Sequence, residues 1–341
     1  MNIRRIFLIV LVVGAGIFCC SREEDIMNGD PTPTPADIQW IKTKGPNSGR
    51  VFSLAIDTLT NNIFAGTEGN GVFKSTDKGE TWVSFNSGLG GNVVYDLAID
   101  GNNRIYAALS QAGLFRSALD ADNWENISPR DTTVWAVAFS PAGPIFAGTS
   151  AGFYRSTDDG VNWQAKNNGL TDTTILSLAI NSAGHIYAGT FTAGVFKSTD
   201  NGENWDPTAL IGLTVQTLAL NSTDDIFAGM LGGIAGEGLL FSRNGGANWS
   251  LPASGFTPSI VYDIAINSDD FVFAGGGGDG VLRSTDNGVS WETKNSGLTS
   301  TIIYSLALDK DERLYTGSDS GFVYYTLEPT NIPPDNQGGG Q

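Results

Sequence analysis

Short runs of alternating large and small side chains recur along most of the chain, and polar turns separate them. The first run is Val51 to Asp57, in which large residues at 52, 54 and 56 alternate with small ones at 53 and 55. A period of two is typical of a β-strand whose two faces differ. We therefore expect Phe52, Leu54 and Ile56 to share one face of this strand. Equivalent runs begin at Val93, Val134, Ile175, Val215, Ile260 and Ile302.

Each run opens a repeat of about 42 residues. A second strand such as Ile63 to Thr67 follows, then a third such as Gly71 to Ser75, and a tryptophan marks the fourth. Units of this length with four short strands are the signature of a β-propeller. Seven repeats predict an all-β chain with one seven-bladed propeller over residues 37–328. The marker tryptophans are Trp40, Trp82, Trp124, Trp163, Trp205, Trp249 and Trp291.

The two ends of the repeat region complement each other. The seventh repeat, from Ile302 to Leu327, has three strands and no tryptophan strand, whereas residues 37–42 carry a tryptophan strand with no strands before it. Pairing them would cover an edge that would otherwise stay open. We expect the N-terminal strand to close the last blade.

A tight-turn motif, S-x-D-x-G-x-x-W, joins the third and fourth strands. Four segments match it fully, Ser242 to Trp249 carries Asn244 in place of Asp, and Ser117 to Trp124 is degenerate. The Asp can accept backbone N–H bonds and the Gly supplies a positive φ. These segments resemble the Asp-box, or BNR, repeat of the sialidase-like propeller superfamily. The resemblance implies a structural role, opposite the usual ligand face, for Asp77, Asp158, Asp200 and Asp286.

The first 36 residues are typical of an export leader and a tether. Arg4 and Arg5 precede an apolar run, as in a secretory signal peptide over residues 1–19. Residues 17–20 resemble a bacterial lipobox with Cys20 as the lipidated residue; a plain secretory signal is the alternative. An acidic cluster at 23–25 resembles the surface-export signal of Bacteroidetes lipoproteins, or is a solvated linker.

These features predict a lipid-anchored protein of the outer membrane or cell surface that touches the membrane only through its lipid. The Pro-rich residues in the 20–36 segment predict an extended tether, and residues 329–341 predict a disordered tail.

Charge and composition narrow the classes of function. The 341 residues carry a formal net charge of −17, which speaks against a nucleic-acid partner. The chain has one His and two Cys, both in the leader region, so Ser-His or Cys-His catalysis and a Cys/His metal site are not expected. We expect no metal and no cofactor.

The resemblance raises the question of glycosidase activity. A sialidase of this superfamily clamps its substrate with three arginines, but only Arg50 and Arg130 fall in loops on the expected ligand side. Asp96 and Asp263 occupy the same inner-strand position in repeats two and six. They are either a pair of catalytic carboxyls, as most glycosidases need, or polar groups lining the channel. The sequence favours no catalytic residue and leaves enzyme activity open.

A ligand would lie at the channel mouth, on the loops that vary most between repeats. We expect a non-catalytic binding or scaffold module for a glycan or an envelope protein. The alternatives are a sialidase- or xyloglucanase-like glycoside hydrolase and an assembly factor for an envelope complex; the oligomeric state stays open. The candidate ligand residues are Arg50, Glu68, Asn70, Asp96, Gln111, Arg130, Phe191, Glu237, Asp263, Asp279 and Asp319.

Overall fold

The computed structural model describes residues 38–127, 132–140, 143–232 and 238–331. These residues form seven antiparallel sheets, and the inner strands contact one another in a closed ring. The prediction of an all-β, seven-bladed propeller is confirmed. Across those ranges, no helix has the length and apolarity needed to cross a membrane. The predicted leader, tether and Cys20, together with Arg130 and Glu237, lie outside the described residues.

Each blade contributes one inner strand beside the axis, and the blades are numbered in chain order. The outer strand β1 (Trp40–Pro46) comes first in the chain. The inner strands of blades 1 to 7 are β2 (Val51–Ile56), β6 (Val94–Ile99), β10 (Val134–Phe139), β14 (Ile175–Ile180), β18 (Val215–Leu220), β21 (Val261–Ile266) and β25 (Ile303–Leu308). The second strands are β3 (Ile63–Thr67), β7 (Arg104–Leu109), β11 (Ile145–Thr149), β15 (Ile186–Thr190), β19 (Ile226–Met230), β22 (Val272–Gly276) and β26 (Leu314–Ser318).

The outer half of each blade is less regular. The third strands are β4 (Val72–Ser75), β8 (Gly113–Ala118), β12 (Gly152–Ser156), β16 (Gly194–Ser198), β20 (Leu239–Ser242), β23 (Val281–Ser284) and β27 (Phe322–Thr326). Outer strands complete blades 1, 2, 3, 4 and 6 as β5 (Val83–Ser84), β9 (Glu125–Asn126), β13 (Gln164–Ala165), β17 (Asp206–Ile211) and β24 (Glu292–Thr293).

Blade 5 differs from the predicted four-strand pattern. Its sheet has three strands, and the expected fourth is reduced to a single bridge between Phe241 and Ser250. Pro252 follows two residues later and has no N–H to donate to a ladder. The outer strand of blade 5 is therefore limited to this single bridge.

The N-terminal strand closes blade 7, as predicted. β1 pairs antiparallel with β27, with Trp40 opposite Thr326. Trp40 is 2% exposed, and its Nε1 donates to the Lys294 carbonyl oxygen of blade 6 at 2.7 Å. The packed chain continues to residue 331, beyond the predicted end at 328, because Thr330 is buried and donates its backbone N–H to the Glu312 carbonyl oxygen.

Large faces of one blade nest against small faces of the next. Leu54 and Ile56 pack with Ala307 of blade 7, whereas Ala55 of the same strand packs with Val94 and Leu97 of blade 2. This alternation fills the space between blades at close-packed density.

The expectation for Phe52 was wrong. The register between β2 and β3 shifts between Val51 and Ser53, so Phe52 is the extra residue of a β-bulge. A bulge turns a side chain out of the regular alternation. Phe52 therefore leaves the face of Leu54 and Ile56 and lines a cavity on the axis.

The turns that carry the S-x-D-x-G-x-x-W motif, called Asp-box turns below for their resemblance alone, are held by their own side chains. Ser198 Oγ donates to Asp200 Oδ1 and accepts the Gly202 N–H, each at 2.9 Å. Asp200 Oδ1 also accepts the Asn204 N–H at 2.9 Å. Asp77, Asp158 and Asp286 accept the equivalent backbone bond. These are the bonds that a turn-stabilising role requires.

A basic residue of the third strand fastens each of several blades to the Asp-box turn of the next. Arg116 donates to the Asp159 carbonyl oxygen at 3.0 Å, and Arg155 donates to that of Asn201 at 2.9 Å. Lys74 reaches the Leu119 carbonyl oxygen at 2.6 Å. These cations are thereby engaged in packing between blades on the side opposite the channel mouth.

Candidate functional site at the channel mouth

A cavity of about 240 Å³ opens on the axis where the inner strands begin. The same bulge recurs near the start of every inner strand, so seven side chains are turned toward this cavity. Five of them are aromatic; we call these five the crown, and Leu176 and Gln216 of blades 4 and 5 fill its gap. The crown consists of Trp135, Tyr95, Phe52, Tyr304 and Tyr262, in the order in which neighbouring blades present them.

The rings of the crown contact one another across blade boundaries. Ring centroids lie 4.3 Å apart for Tyr95 and Trp135, 5.9 Å for Phe52 and Tyr95, and 4.5 Å for Tyr262 and Tyr304. Phe52 and Tyr304 meet edge to face at 5.3 Å. The rings therefore pack between blades and line the cavity at the same time.

The next residue of each inner strand forms a second layer below the crown. Asp96 Oδ2 accepts the Val137 N–H of blade 3 at 2.9 Å, and Asp263 Oδ2 accepts the Leu306 N–H of blade 7 at 2.7 Å. Ser53 Oγ accepts the Leu97 N–H in the same way at 2.8 Å. The two aspartates line the cavity, and each also joins its blade to the next.

Asp96 and Asp263 are half-buried, and the loss of water around their carboxyl groups makes them harder to ionise. Desolvation raises the pKa of Asp96 above its usual range, although the Val137 and Leu97 N–H groups oppose the shift. Desolvation likewise raises the pKa of Asp263, to about 6; backbone N–H bonds from Leu306 and Ile264 lower it, and repulsion from Asp96 adds to the rise. The cavity therefore holds two electrostatically linked carboxyls.

The other predicted ligand residues that the structure describes lie on the rim and do not line the cavity. Arg50 forms an ion pair with Glu68 at 3.0 Å, and its guanidinium lies 5.8 Å from the Tyr304 ring centroid. Phe191 is 51% exposed in the loop between β15 and β16. The remaining rim residues make local contacts, namely Asn70 with Thr67, Gln111 with Thr133, Asp279 with Thr257 and Asp319 with Ser300.

Sequence reasoning missed several residues that line the cavity. Phe52 was assigned to the blade face, and Ser53, Ser177, Gln216 and Thr217 were not singled out. The signal was available, because these residues occupy the inner-strand positions of Tyr95 and Asp96 in other repeats. Among the described residues, no group of three His, Cys, Asp or Glu is placed to hold a metal ion.

Comparisons with known proteins show the fold. No protein-family model matches the sequence, and no curated protein matches it. The extracellular domain of the BT4673 one-component system of B. thetaiotaomicron superposes with a TM-score of 0.70 at 17% identity, over 85% of this chain and 40% of that one. YCF48 from Cyanidioschyzon merolae gives 0.65 at 19% identity, over 86% of this chain and 100% of that one.

A xyloglucanase shares the fold as well. The GH74 xyloglucanase from Xanthomonas campestris has a TM-score of 0.65 at 17% identity, over 84% of this chain and 53% of that one. This chain thus spans less than half of the BT4673 domain and about half of the xyloglucanase. At such low sequence identities, the similarity shows the seven-bladed fold but does not show an activity.

Proposed function

We propose that this chain is a binding module of the cell surface, anchored by a lipid on Cys20, which binds a glycan or protein ligand at the channel mouth without converting it. The observation that carries the proposal is the crown with its cavity. It is a concave, aromatic and carboxylate-bearing site on a rigid ring, surrounded by the loops that vary most between repeats.

The two carboxyls support binding better than catalysis. Asp96 and Asp263 both accept backbone N–H groups of the following blade, so part of their hydrogen-bonding capacity is used in holding the ring. In a glycosidase the two carboxyls have to be free to transfer a proton and to attack or activate water. We assign both residues to ligand binding and blade packing.

Similar proteins support a role at the cell surface or in protein binding. The BT4673 and BT3049 structures are extracellular domains, and YCF48 is seen bound to a D1 peptide. By extension we propose an exported location for this chain, with residues 1–19 as leader, 20–36 as tether and Asp-box turns on the opposite face. An envelope assembly factor is a protein-binding form of the same proposal.

A glycoside hydrolase is the second candidate, favoured by one observation. The pKa of Asp263 is raised to about 6, which suits a general acid near neutral pH, and Asp96 lies close enough to influence it. The xyloglucanase fold adds the precedent of a propeller that acts on glycans.

Binding and turnover on a glycan array test both candidates. The full chain is applied to the array and to immobilised envelope proteins, and any bound glycan is then followed by mass spectrometry. We expect capture without change in ligand mass, reduced at least about tenfold by Phe191→Ala or Tyr262→Ala at the mouth. Val161→Ala, at a 77% exposed apolar residue of the Asp-box turn in blade 3, is the matched control. Cleavage of the glycan, abolished by Asp263→Asn, would establish the hydrolase instead.

A further inference from the structure

The cavity holds the carboxyl groups of Asp96 and Asp263. Its lining in the described part of the chain includes Asp96 and Asp263 but no Lys, Arg or His. The rim cation Arg50 is paired with Glu68. Buried carboxylates are costly unless they meet a positive charge or enough hydrogen bonds. The two carboxyls are therefore short of a positive partner, and a ligand can supply it.

The surroundings select the kind of cation. Two carboxylates offer fewer oxygen ligands than Ca²⁺ takes, and Mg²⁺ gives up its water reluctantly. An aromatic site suits a weakly hydrated organic cation, because aromatic rings attract ammonium groups that have shed their water. The crown provides five such rings around the entrance to the carboxyls.

The crown is open on one side. Trp135 and Tyr262 end the row of rings, and beyond them lie Leu176 and Gln216. Each end ring therefore has a face that no other crown ring covers. Trp135 Nε1 is buried and has no hydrogen-bond partner within the described ranges.

The size of the cavity limits the ligand. At about 240 Å³ it lies below the roughly 300–1,000 Å³ of pockets for drug-sized molecules. It suits a single head group or side chain rather than a whole oligosaccharide.

We propose that the channel mouth binds an organic ammonium group, held between the carboxyls of Asp96 and Asp263 and the rings of the crown. This inference rests on the proposed function and names the chemistry that its ligand presents. Amino sugars, lysine side chains and small amino alcohols all carry an ammonium group.

A charged and a neutral probe of the same shape test the proposal. Choline and its carbon isostere 3,3-dimethyl-1-butanol are titrated into the full chain, with tryptophan fluorescence and calorimetry as readouts. We expect choline to bind at least about tenfold more tightly than the isostere. The Asp96→Asn/Asp263→Asn double variant should lose this preference. Asp120→Asn, at an exposed aspartate, removes one charge far from the cavity and should keep it.

Each outcome of this titration either supports or overturns the inference. Preference for choline that depends on the two aspartates supports the inference, and competition by glucosamine or by Nα-acetyl-lysine methylamide then identifies the source of the ammonium group. Equal affinity for both probes, or no binding of either, overturns it. The proposed function survives these results if a glycan or protein is still captured in a way that depends on Tyr262. The comparison of choline with its isostere in the unaltered chain tests the inference even if the double variant fails to fold.

Discussion

Asp263 stands out among the residues because its carboxyl joins two blades and also faces the axial cavity. The Leu306 N–H of blade 7 donates to it at 2.7 Å. Its pKa is nevertheless raised to about 6, with burial as the largest cause. The ionised form of Asp263 therefore lowers the stability of the folded chain.

Stability should rise as the pH falls through the range in which Asp263 takes up a proton. The folded pKa of about 6 lies above the unfolded value of about 3.9. The folded state thus binds the proton more tightly, and stability increases from pH 7 down to about pH 4. Asp263→Asn should reduce this slope, leaving the part that comes from the raised pKa of Asp96, and stabilise the chain at pH 7 by about 1–3 kcal/mol. Urea unfolding at several pH values measures both effects.

The Asp-box aspartates act in a separate range of pH. The backbone N–H and the side chain of Asn162 hold the pKa of Asp158 below its usual range. The stability that Asp158 contributes is therefore present above about pH 4 and is lost only as the pH falls further, through its lowered pKa. Asp120→Asn serves as the exposed control for Asp263. A stability that is flat or falls between pH 7 and pH 5 would contradict the assignment for Asp263.

Among the elements, the Asp-box turn depends on a glycine with no room for a side chain. Gly202 has φ of +83°, and a Cβ there would lie 2.4 Å from Phe153 Cε1 of the preceding blade. Gly184 has nearly the same φ, +81°, with nothing within 4 Å of its Cβ position. Both positions share the left-handed backbone, but only Gly202 has a close neighbour. Comparing them therefore distinguishes backbone strain from steric crowding.

Alanine at these two glycines should therefore differ in effect. Gly184→Ala should cost about 1 kcal/mol for the left-handed backbone. Gly202→Ala should cost a further 1–3 kcal/mol, roughly, because Phe153 has to move. Chemical denaturation of both variants gives the difference. Equal losses of stability in the two variants would mean that Phe153 moves aside at no cost, and would contradict tight packing of the turn against the neighbouring blade.

The sequence predicts the regular elements well and the bulges poorly. Strand order, blade count and closure follow from the repeat, because the tryptophan and glycine positions recur. The bulge at Phe52 adds one residue to a ladder without changing the alternation in the sequence. The alternation in the sequence therefore places Phe52 on the blade face, whereas the bulge turns it toward the cavity. The outer strand of blade 5 is reduced because of Pro252, whose effect the repeat pattern does not predict.

At the scale of the whole molecule, one strand holds the ring closed. β1 is the first strand of the described chain and pairs with β27, its last strand, so the first and last described strands meet in one sheet. Trp40 further ties this strand to blade 6 through the Lys294 carbonyl oxygen. Stability of all seven blades is thereby linked to a few N-terminal residues.

Removing this closure should destabilise the entire propeller. Trp40→Ala should lower the free energy of unfolding by about 3–5 kcal/mol, because it empties a buried site between blades. Deleting residues 1–46 should lower it further and expose the edge of β27, whereas deleting residues 1–36 leaves β1 in place and serves as control. Urea unfolding followed by tryptophan fluorescence measures this. Equal stability of the two truncated chains would contradict closure by β1.

The measurement that tests the account most directly is hydrogen exchange, followed by mass spectrometry, of the full chain with and without a ligand captured from the array. We predict protection in peptides that begin the inner strands, around residues 51–54, 94–97, 261–264 and 303–306, where the crown and the two carboxyls lie. Protection confined to the Asp-box turns, around residues 156–163 and 198–205, would place the ligand on the opposite face and contradict the channel mouth as the binding site.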